Sequence, residues 1–161
     1  MAGAVALVRA ANPRLGRTSV VRLMKQTATR AAGASGWTTE LGWGIVNAEA
    51  AVRRALELAR DTVPPRTSRR GGRSRRTGRR FTLTWRGRDT AAPGVGAAGI
   101  ESFSIFEQRG SRAKLIATTT DSRYRLRGRR GKRYRFFVRA KDLAGNVEPT
   151  RRASFVIRVR R

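Results

Sequence analysis

Histidine and cysteine, which supply many of the general bases, nucleophiles and metal ligands of enzymes, are both absent from this chain of 161 residues. Without histidine the chain lacks the usual proton carrier near neutral pH and the commonest zinc ligand. Without cysteine it lacks disulfides, thiolate metal sites and a thiol nucleophile. We therefore assign no catalytic, cofactor-binding or metal-ligating residue from the sequence, and we expect no cofactor.

The residues most able to act on a partner are arginines. The chain has 37 Lys and Arg against 10 Asp and Glu, a net charge of +27, and such a field attracts polyanions. The cations are nearly all arginine and are spread along the whole sequence, as codon bias alone would produce. There is no RNA-recognition signature and no basic recognition helix. We therefore expect polyanions to bind non-specifically and in a salt-dependent way. A module that binds nucleic acid or a cell-wall polymer is the alternative to the function inferred below.

Asp142 and Asn146 flank Gly145 and carry oxygens that could ligate calcium. A calcium site needs six or more converging oxygens. The same side chains can bond to the local backbone in a turn, where Gly145 tolerates a positive φ. We expect turn chemistry rather than calcium binding.

These side chains lie on two differently built parts of the chain. Residues 1–61 carry a net charge of +5, whereas residues 62–161 carry +22. Between them, T-V-P-P at residues 62–65 is followed by eight arginines and no acid in residues 66–80. A stretch that repels itself and offers little to bury is typical of a linker. We predict a linker over residues 62–80.

The N-terminal part has helical periodicity. Apolar residues recur every three or four positions over residues 20–28 and 48–59, which predicts two amphipathic helices. Residues 2–11 are apolar on nearly every side, a pattern typical of a helix buried all round. Three short helices cannot surround such a segment. The predicted N-cap residues are Thr18 or Ser19 for the second helix and Asn47 for the third.

After residue 80 the period changes to two, and turn clusters separate the alternating stretches. Short strands at about ten-residue spacing indicate an antiparallel β-sandwich of about seven strands. We expect Trp85 to be the large core aromatic and the hydroxyl of Tyr134 to pin a corner. The alternating stretches are residues 81–85, 103–105, 134–140 and 155–159.

Four motifs in the first 60 residues resemble the C-terminal helices of subtilisin-like serine proteases, in the same order. Residues 1–7, M-A-G-A-V-A-L, are similar to V-A-G-x-x-A-L at the end of the nucleophile helix, which follows G-T-S-M-A-x-P-x in the family. Residues 12–15, N-P-R-L, with Q-T-A at 26–28, are similar to the next helix. Residues 42–48, G-W-G-I-V-N-A, resemble G-x-G-x-V-[ND]-A. The helix containing A-V at 51–52 follows where the family has its last helix.

The resemblance implies a secreted endopeptidase that hydrolyses peptide or protein substrates through an acyl-enzyme. That chemistry needs an Asp, a His and a Ser together with an oxyanion hole. This chain has no histidine, and its serines lie outside any G-T-S context, so we expect it to be inactive alone. Met1 stands where the family has valine, and we expect a C-terminal fragment that arose from an internal start or a split gene.

The second part resembles a fibronectin type III or immunoglobulin-like module of the kind appended to secreted hydrolases. The resemblance is carried by D-T-V-P-P at 61–65, T-W-R-G-R-D at 84–89, residues 96–103, Y-R-F-F-V-R-A at 134–140 and D-L-A-G-N-V-E at 142–148. It implies a spacer or adhesion role for the module.

The expected fold class is an α+β chain in two parts. Residues 1–61 would be the C-terminal helices of a subtilisin-like α/β domain, residues 62–80 a linker, and residues 81–161 the antiparallel sandwich. We expect no membrane span, because no apolar run approaches the length of about 18 residues that a spanning helix needs. The chain begins without the basic region of a signal peptide, and an extracellular location is implied by the resemblance alone.

Overall fold

Three helices form in the N-terminal part, where apolar side chains recur at helical spacing. They are α1 (Ala2–Ala11), α2 (Arg17–Thr27) and α3 (Ala48–Ala59), which confirms the three predicted helices. Within the described part of the chain, no helix combines the length and the apolar character needed to cross a bilayer.

The computed structural model describes residues 1–30, 32–33, 35–72, 74–149 and 153–160. The chain divides into two compact units. The first, here called the helical unit, consists of Met1–Thr62, Ala91–Ala98 and Leu143–Gly145. The second, here called the sandwich, consists of Val63–Thr90, Gly99–Asp142 and Asn146–Arg161.

The core of the helical unit buries α1 on one side only, although its sequence is apolar on nearly every side. Val8 is completely buried, but Leu7 is 56% exposed. α1 packs against α3 and α2, and two helices cannot cover every side of a third. The core consists of Val8, Leu15, Val20, Leu23, Ala51, Ala55 and Leu58, with Ala98 and Ala144 from the two later segments.

The helix caps follow the sequence at α3 but not at α2. Asn47 caps α3, and its side-chain oxygen accepts a hydrogen bond from the backbone N–H of Ala50 at 2.9 Å. The N-cap of α2 is Gly16, whose carbonyl accepts from the N–H of Val20 at 3.0 Å. The predicted caps Thr18 and Ser19 therefore lie inside the first turn of α2, because the helix begins earlier than its apolar stripe.

Alternating apolar residues form strands, as predicted, and the described residues contain eight strands rather than about seven. The strands are β1 (Arg66–Arg69), β2 (Ser74–Thr77), β3 (Arg80–Arg88), β4 (Ile100–Arg109), β5 (Arg112–Thr119), β6 (Arg123–Arg127), β7 (Arg133–Asp142) and β8 (Ala153–Val159).

The eight strands form two sheets. One has the order β1-β3-β6 and is antiparallel, and the other has the order β2-β8-β7-β4-β5. In the second sheet only β2 runs parallel to its neighbour, β8. The strands β1, β3 and β6 correspond in order to A, B and E of an immunoglobulin-like sandwich, and β4, β7 and β8 to C, F and G. The second unit is therefore an immunoglobulin-like β-sandwich by topology.

Aromatic side chains join the two sheets across the sandwich core. Trp85 of β3 is only 1% exposed and meets Phe103 of β4 edge-on, with ring centroids 5.6 Å apart. The rings of Phe81 and Phe136 lie 6.0 Å apart. Trp85 is thus the large core aromatic, as expected. The hydroxyl of Tyr134 accepts a hydrogen bond from the N–H of Arg129 at 2.9 Å, which confirms its predicted role at a corner.

The segment predicted as a linker, residues 62–80, contains β1 and β2, so the sandwich begins well before residue 81. Pro65 and Thr67 are buried. Both strands lie at sheet edges, where short, charged strands are common because their arginines can extend into water while the backbone pairs. The composition of this segment resembles that of a linker because it has few apolar side chains. Its two strands form through backbone pairing with neighbouring strands, which composition does not reveal.

Candidate functional site

An apolar groove of about 410 Å³ lies in the helical unit. We call it the helical groove. Its walls come from α1, α2 and the segment after α2, and several of its apolar side chains are exposed: Val21 is 46% and Trp43 is 41% exposed. The lining residues are Met1, Val5, Arg9, Arg17, Val20, Val21, Met24, Lys25, Ala28, Leu41, Trp43, Gly44 and Val46.

A short backbone bridge positions the Trp43 side of the groove. The N–H of Thr29 donates to the carbonyl of Ile45, and the N–H of Ile45 donates back, both at 2.9 Å. Gly44 has a φ of +107°, and a Cβ there would collide with the carbonyl of Thr29. This position therefore requires glycine, because a side chain would force the bridge apart.

Cations line the groove beside its apolar walls. Among the described lining residues three are basic, Arg9, Arg17 and Lys25, and none is acidic. The ammonium group of Lys25 lies 4.9 Å from the centroid of the Trp43 ring, which is within the range of a cation–π interaction. The groove therefore suits an occupant with an apolar surface and acidic groups at its margin.

The helical unit holds no arrangement for proton transfer or nucleophilic attack that involves histidine, since the chain has none. Ser19 is buried within α2. The hydroxyl of Thr39 donates to the carboxylate of Glu40 at 2.6 Å, and this hydrogen bond lowers the pKa of Glu40 below its ordinary value. A lowered carboxyl pKa makes Glu40 a weaker base than an ordinary glutamate.

Asp142 and Asn146 form the turn that the sequence predicts. The N–H of Asn146 donates to Oδ1 of Asp142 at 2.8 Å, and its side-chain amide donates to Oδ2 at 2.9 Å. Gly145 has a φ of +95°. These contacts confirm the expected turn chemistry, in which the carboxylate fixes the chain direction after β7.

Glu148 is a buried carboxylate that ties the two sheets of the sandwich together, and it is 1% exposed. Its Oε1 accepts from the N–H of Thr67 in β1 at 2.9 Å. Its Oε2 accepts from the Thr67 hydroxyl at 2.8 Å and from the N–H of Ala140 in β7 at 3.2 Å. Because β1 and β7 belong to different sheets, Glu148 acts as a structural clamp.

In the sequence, Glu148 is only the last residue of the segment 142–148 that resembles a fibronectin type III module, and no role follows from that position. Only six acids follow residue 61 in a half with 28 basic residues. An acid kept in so basic a region is a candidate for a specific contact. The scarcity of acidic residues after residue 61 is the sequence signal that could have pointed to Glu148.

The sandwich also pairs some of its surface cations. Arg109 binds Glu107 at 2.6 Å, and Lys141 binds Glu101 at 2.8 Å. With 28 cations and six acids after residue 61, most of the cations have no acid to pair with. The sandwich therefore offers cationic surface.

Comparison with protein-family models gives no match, and comparison with curated proteins gives none. Among solved structures, the protein called FN3tt is 20% identical with a TM-score of 0.39, over 53% of this chain and 84% of that one. The fibronectin type-III domain of human fibronectin type III domain containing protein 3 is 20% identical with a TM-score of 0.38, over 62% of this chain and 87% of that one. A beta-1,2-glucanase from Parabacteroides distasonis is 17% identical with a TM-score of 0.42, over 62% of this chain and 14% of the glucanase.

Fibronectin type III domains are thus among the structural neighbours of this chain. At these scores the likeness adds nothing on activity. The assignment of the sandwich depends on the order of its strands in the two sheets.

Proposed function

We propose that this chain is a non-catalytic, C-terminal part of a subtilisin-like serine endopeptidase. In this proposal the helical unit packs on the α/β catalytic body through the helical groove, and the sandwich is an accessory spacer or adhesion module. The observation that carries the proposal is that three of the segments with subtilisin-like motifs supply residues to the same groove. Val5 comes from the first segment, Ala28 from the second, and Trp43 and Val46 from the third.

The apolar surface of the groove supports the same proposal. Leu41 is 49% exposed, close to the exposure of Val21 and Trp43. Contiguous exposed apolar surface marks an interaction site more often than a free surface. In this proposal apolar side chains of the catalytic body fill the groove, and acidic groups on that body pair with the basic residues that line it.

Catalysis in this proposal belongs to the polypeptide that carries the Asp, His and Ser of the triad. The present chain supplies apolar packing area, at roughly 25 cal/mol for each Å² buried. It should therefore show no peptidase turnover and no labelling by serine-directed phosphonates when assayed alone. Stoichiometric labelling of any serine would contradict this expectation.

The proposal is tested first at the level of the gene. The in-frame sequence immediately upstream of Met1 should encode G-T-S-M-A-x-P-x or a close variant. A stop codon in that position, with no protease-like sequence before it, would refute the proposal.

A binding experiment tests the groove directly. The probe is the catalytic body of a subtilisin-like peptidase produced without its own C-terminal helices, and the readout is co-elution and affinity. Val21→Asp should weaken binding at least about tenfold, since burying the exposed half of a valine stabilises by about 1 kcal/mol and burying an unpaired charge costs more than that.

The matched control is Leu56→Asp, which changes a leucine that is 52% exposed on α3 and lies outside the groove lining. It should bind like the unmodified chain, and circular dichroism should show that both variants keep their helices. Equal binding by the two variants would contradict the proposal. A homodimer that is lost in the Val21→Asp variant would also contradict the proposal, because the occupant of the groove would then be a second copy of the chain.

A further inference from the structure

Five cations line a depression of about 660 Å³ at one end of the five-stranded sheet. We call it the basic depression. Three of the cations are arginines from adjacent strands, and the depression has no acidic residue among its described lining. Its residues are Arg76, Gly131, Lys132, Arg133, Arg158, Val159 and Arg160.

The strand register places three of these arginines in a row. Arg158 of β8 is the direct partner of Arg76 in β2 on one side and of Arg133 in β7 on the other. Neighbouring strands lie about 4.8 Å apart, so the row joins three cationic side chains across about 10 Å of sheet. Like charges directly opposite one another destabilise a sheet, and a bound anion would reverse the sign of that interaction.

The row is held on a fixed backbone. The N–H of Arg160 donates to the carbonyl of Thr77 at 2.9 Å, and the N–H of Val159 donates to the carbonyl of Lys132 at 3.0 Å. These bonds fix the strand ends that carry the cations. A site whose backbone is already ordered loses less entropy when it binds a ligand.

The cations of the depression are also available for a ligand. In the described part of the chain, no carboxylate lies within ion-pair distance of any of the five, whereas Arg109 and Lys141 elsewhere on the sandwich have acidic partners. All five residues are exposed. Within the described part of the chain, no acidic group therefore neutralises their charge.

We propose that the basic depression binds successive phosphate groups of a linear polyphosphate or phosphodiester chain, independently of the proposed protease role. Guanidinium groups match phosphate oxygens bidentately, so a row of arginines favours phosphate over an isolated carboxylate. The residues that the structure describes in the lining include no aromatic ring on which a base could stack, and so the site reads phosphates rather than bases.

The alternative is that the net charge of +27 alone attracts polyanions, with no preferred site. Two triple variants separate these cases, because each removes three positive charges. The row variant is Arg76→Gln with Arg133→Gln and Arg158→Gln. The control variant is Arg86→Gln with Arg123→Gln and Arg125→Gln; these three exposed arginines lie opposite Ser68, Thr84 and Thr82 rather than opposite cations.

Binding is measured by fluorescence anisotropy with oligothymidine and, separately, with inorganic polyphosphate, over a range of salt concentrations. The row variant should bind at least about tenfold more weakly than the control variant near physiological salt. Its slope of log affinity against log salt for oligothymidine should fall by about 2, which is three contacts at about 0.7 each. If the row variant loses affinity for only one of the two probes, that probe identifies the source of the phosphates: nucleic acid for oligothymidine, and polyphosphate for inorganic polyphosphate.

A second measurement protects the test against misfolding. The phosphate polymer should raise the melting temperature of the unmodified chain and of the control variant, and should raise that of the row variant less. Equal loss of affinity in the two variants would overturn the proposal, because binding would then depend only on the net charge of the chain. Equally tight, row-dependent binding of polyglutamate would overturn the preference for phosphate.

Discussion

Glu148 should contribute several kcal/mol to the stability of the sandwich, far more than the exposed Asp121. Glu148→Ala removes the acceptor for the buried N–H groups of Thr67 and Ala140 and for the Thr67 hydroxyl. Each buried donor without a partner costs about 1–3 kcal/mol. The two N–H groups alone therefore give a loss of about 2–6 kcal/mol, a large part of the 5–15 kcal/mol that typically stabilises a domain.

Glu148→Gln keeps the shape of the side chain but removes its charge and replaces one of the two acceptor oxygens with an NH₂ donor. The amide oxygen can still accept from the N–H of Thr67, and the Thr67 hydroxyl can rotate to accept from the new amide. The N–H of Ala140 then faces a donor, so the expected loss is about 1–3 kcal/mol. The exposed Asp121→Asn, in the turn before β6, should change the free energy of unfolding by less than about 0.5 kcal/mol.

The assay is urea unfolding followed by the fluorescence of Trp85, which is buried in the sandwich core. Trp37→Phe and Trp43→Phe are introduced as a common background, because these tryptophans lie in the helical unit. The free energy of unfolding should be highest for Asp121→Asn, lower for Glu148→Gln and lowest for Glu148→Ala. A loss below about 1 kcal/mol for Glu148→Ala would refute the assignment of Glu148 as a clamp between the sheets.

Three further changes test the helical unit. Gly44→Ala should destabilise it, because the new methyl group meets the carbonyl of Thr29 at a positive φ; unchanged thermal unfolding would contradict this. Asn47→Ala should cost about 1 kcal/mol of helix capping in α3, and a loss of amide-exchange protection at its first turn would show it. Thr39→Ala should raise the pKa of Glu40 toward its ordinary value, measurable by NMR titration. Because the folded-state pKa is lowered, the stabilisation by Glu40 is present above the unfolded pKa and is lost as pH falls through the folded pKa; an unchanged pKa would exclude the hydrogen bond.

The burial of individual side chains was predictable only where local periodicity decides it. Trp85 alternates with polar neighbours, and this pattern alone is enough to place it in the core of a sheet. Residues 2–11 are apolar all round, yet Leu7 is exposed because only two helices pack on α1. The number of neighbours an element has is set by the rest of the fold, and so composition alone does not give the burial of α1.

The sequence by itself determined the three helices, the cap at Asn47, the turn at Asp142 and the change to strand periodicity after residue 80, because each depends on residues within a few positions of one another. Tertiary structure decided the rest. β1 pairs with β3, and Arg158 lies between Arg76 and Arg133, through partners that are distant in the chain. Glu148 reaches Thr67 across 81 positions. Such contacts depend on register and sheet order, which no local pattern encodes.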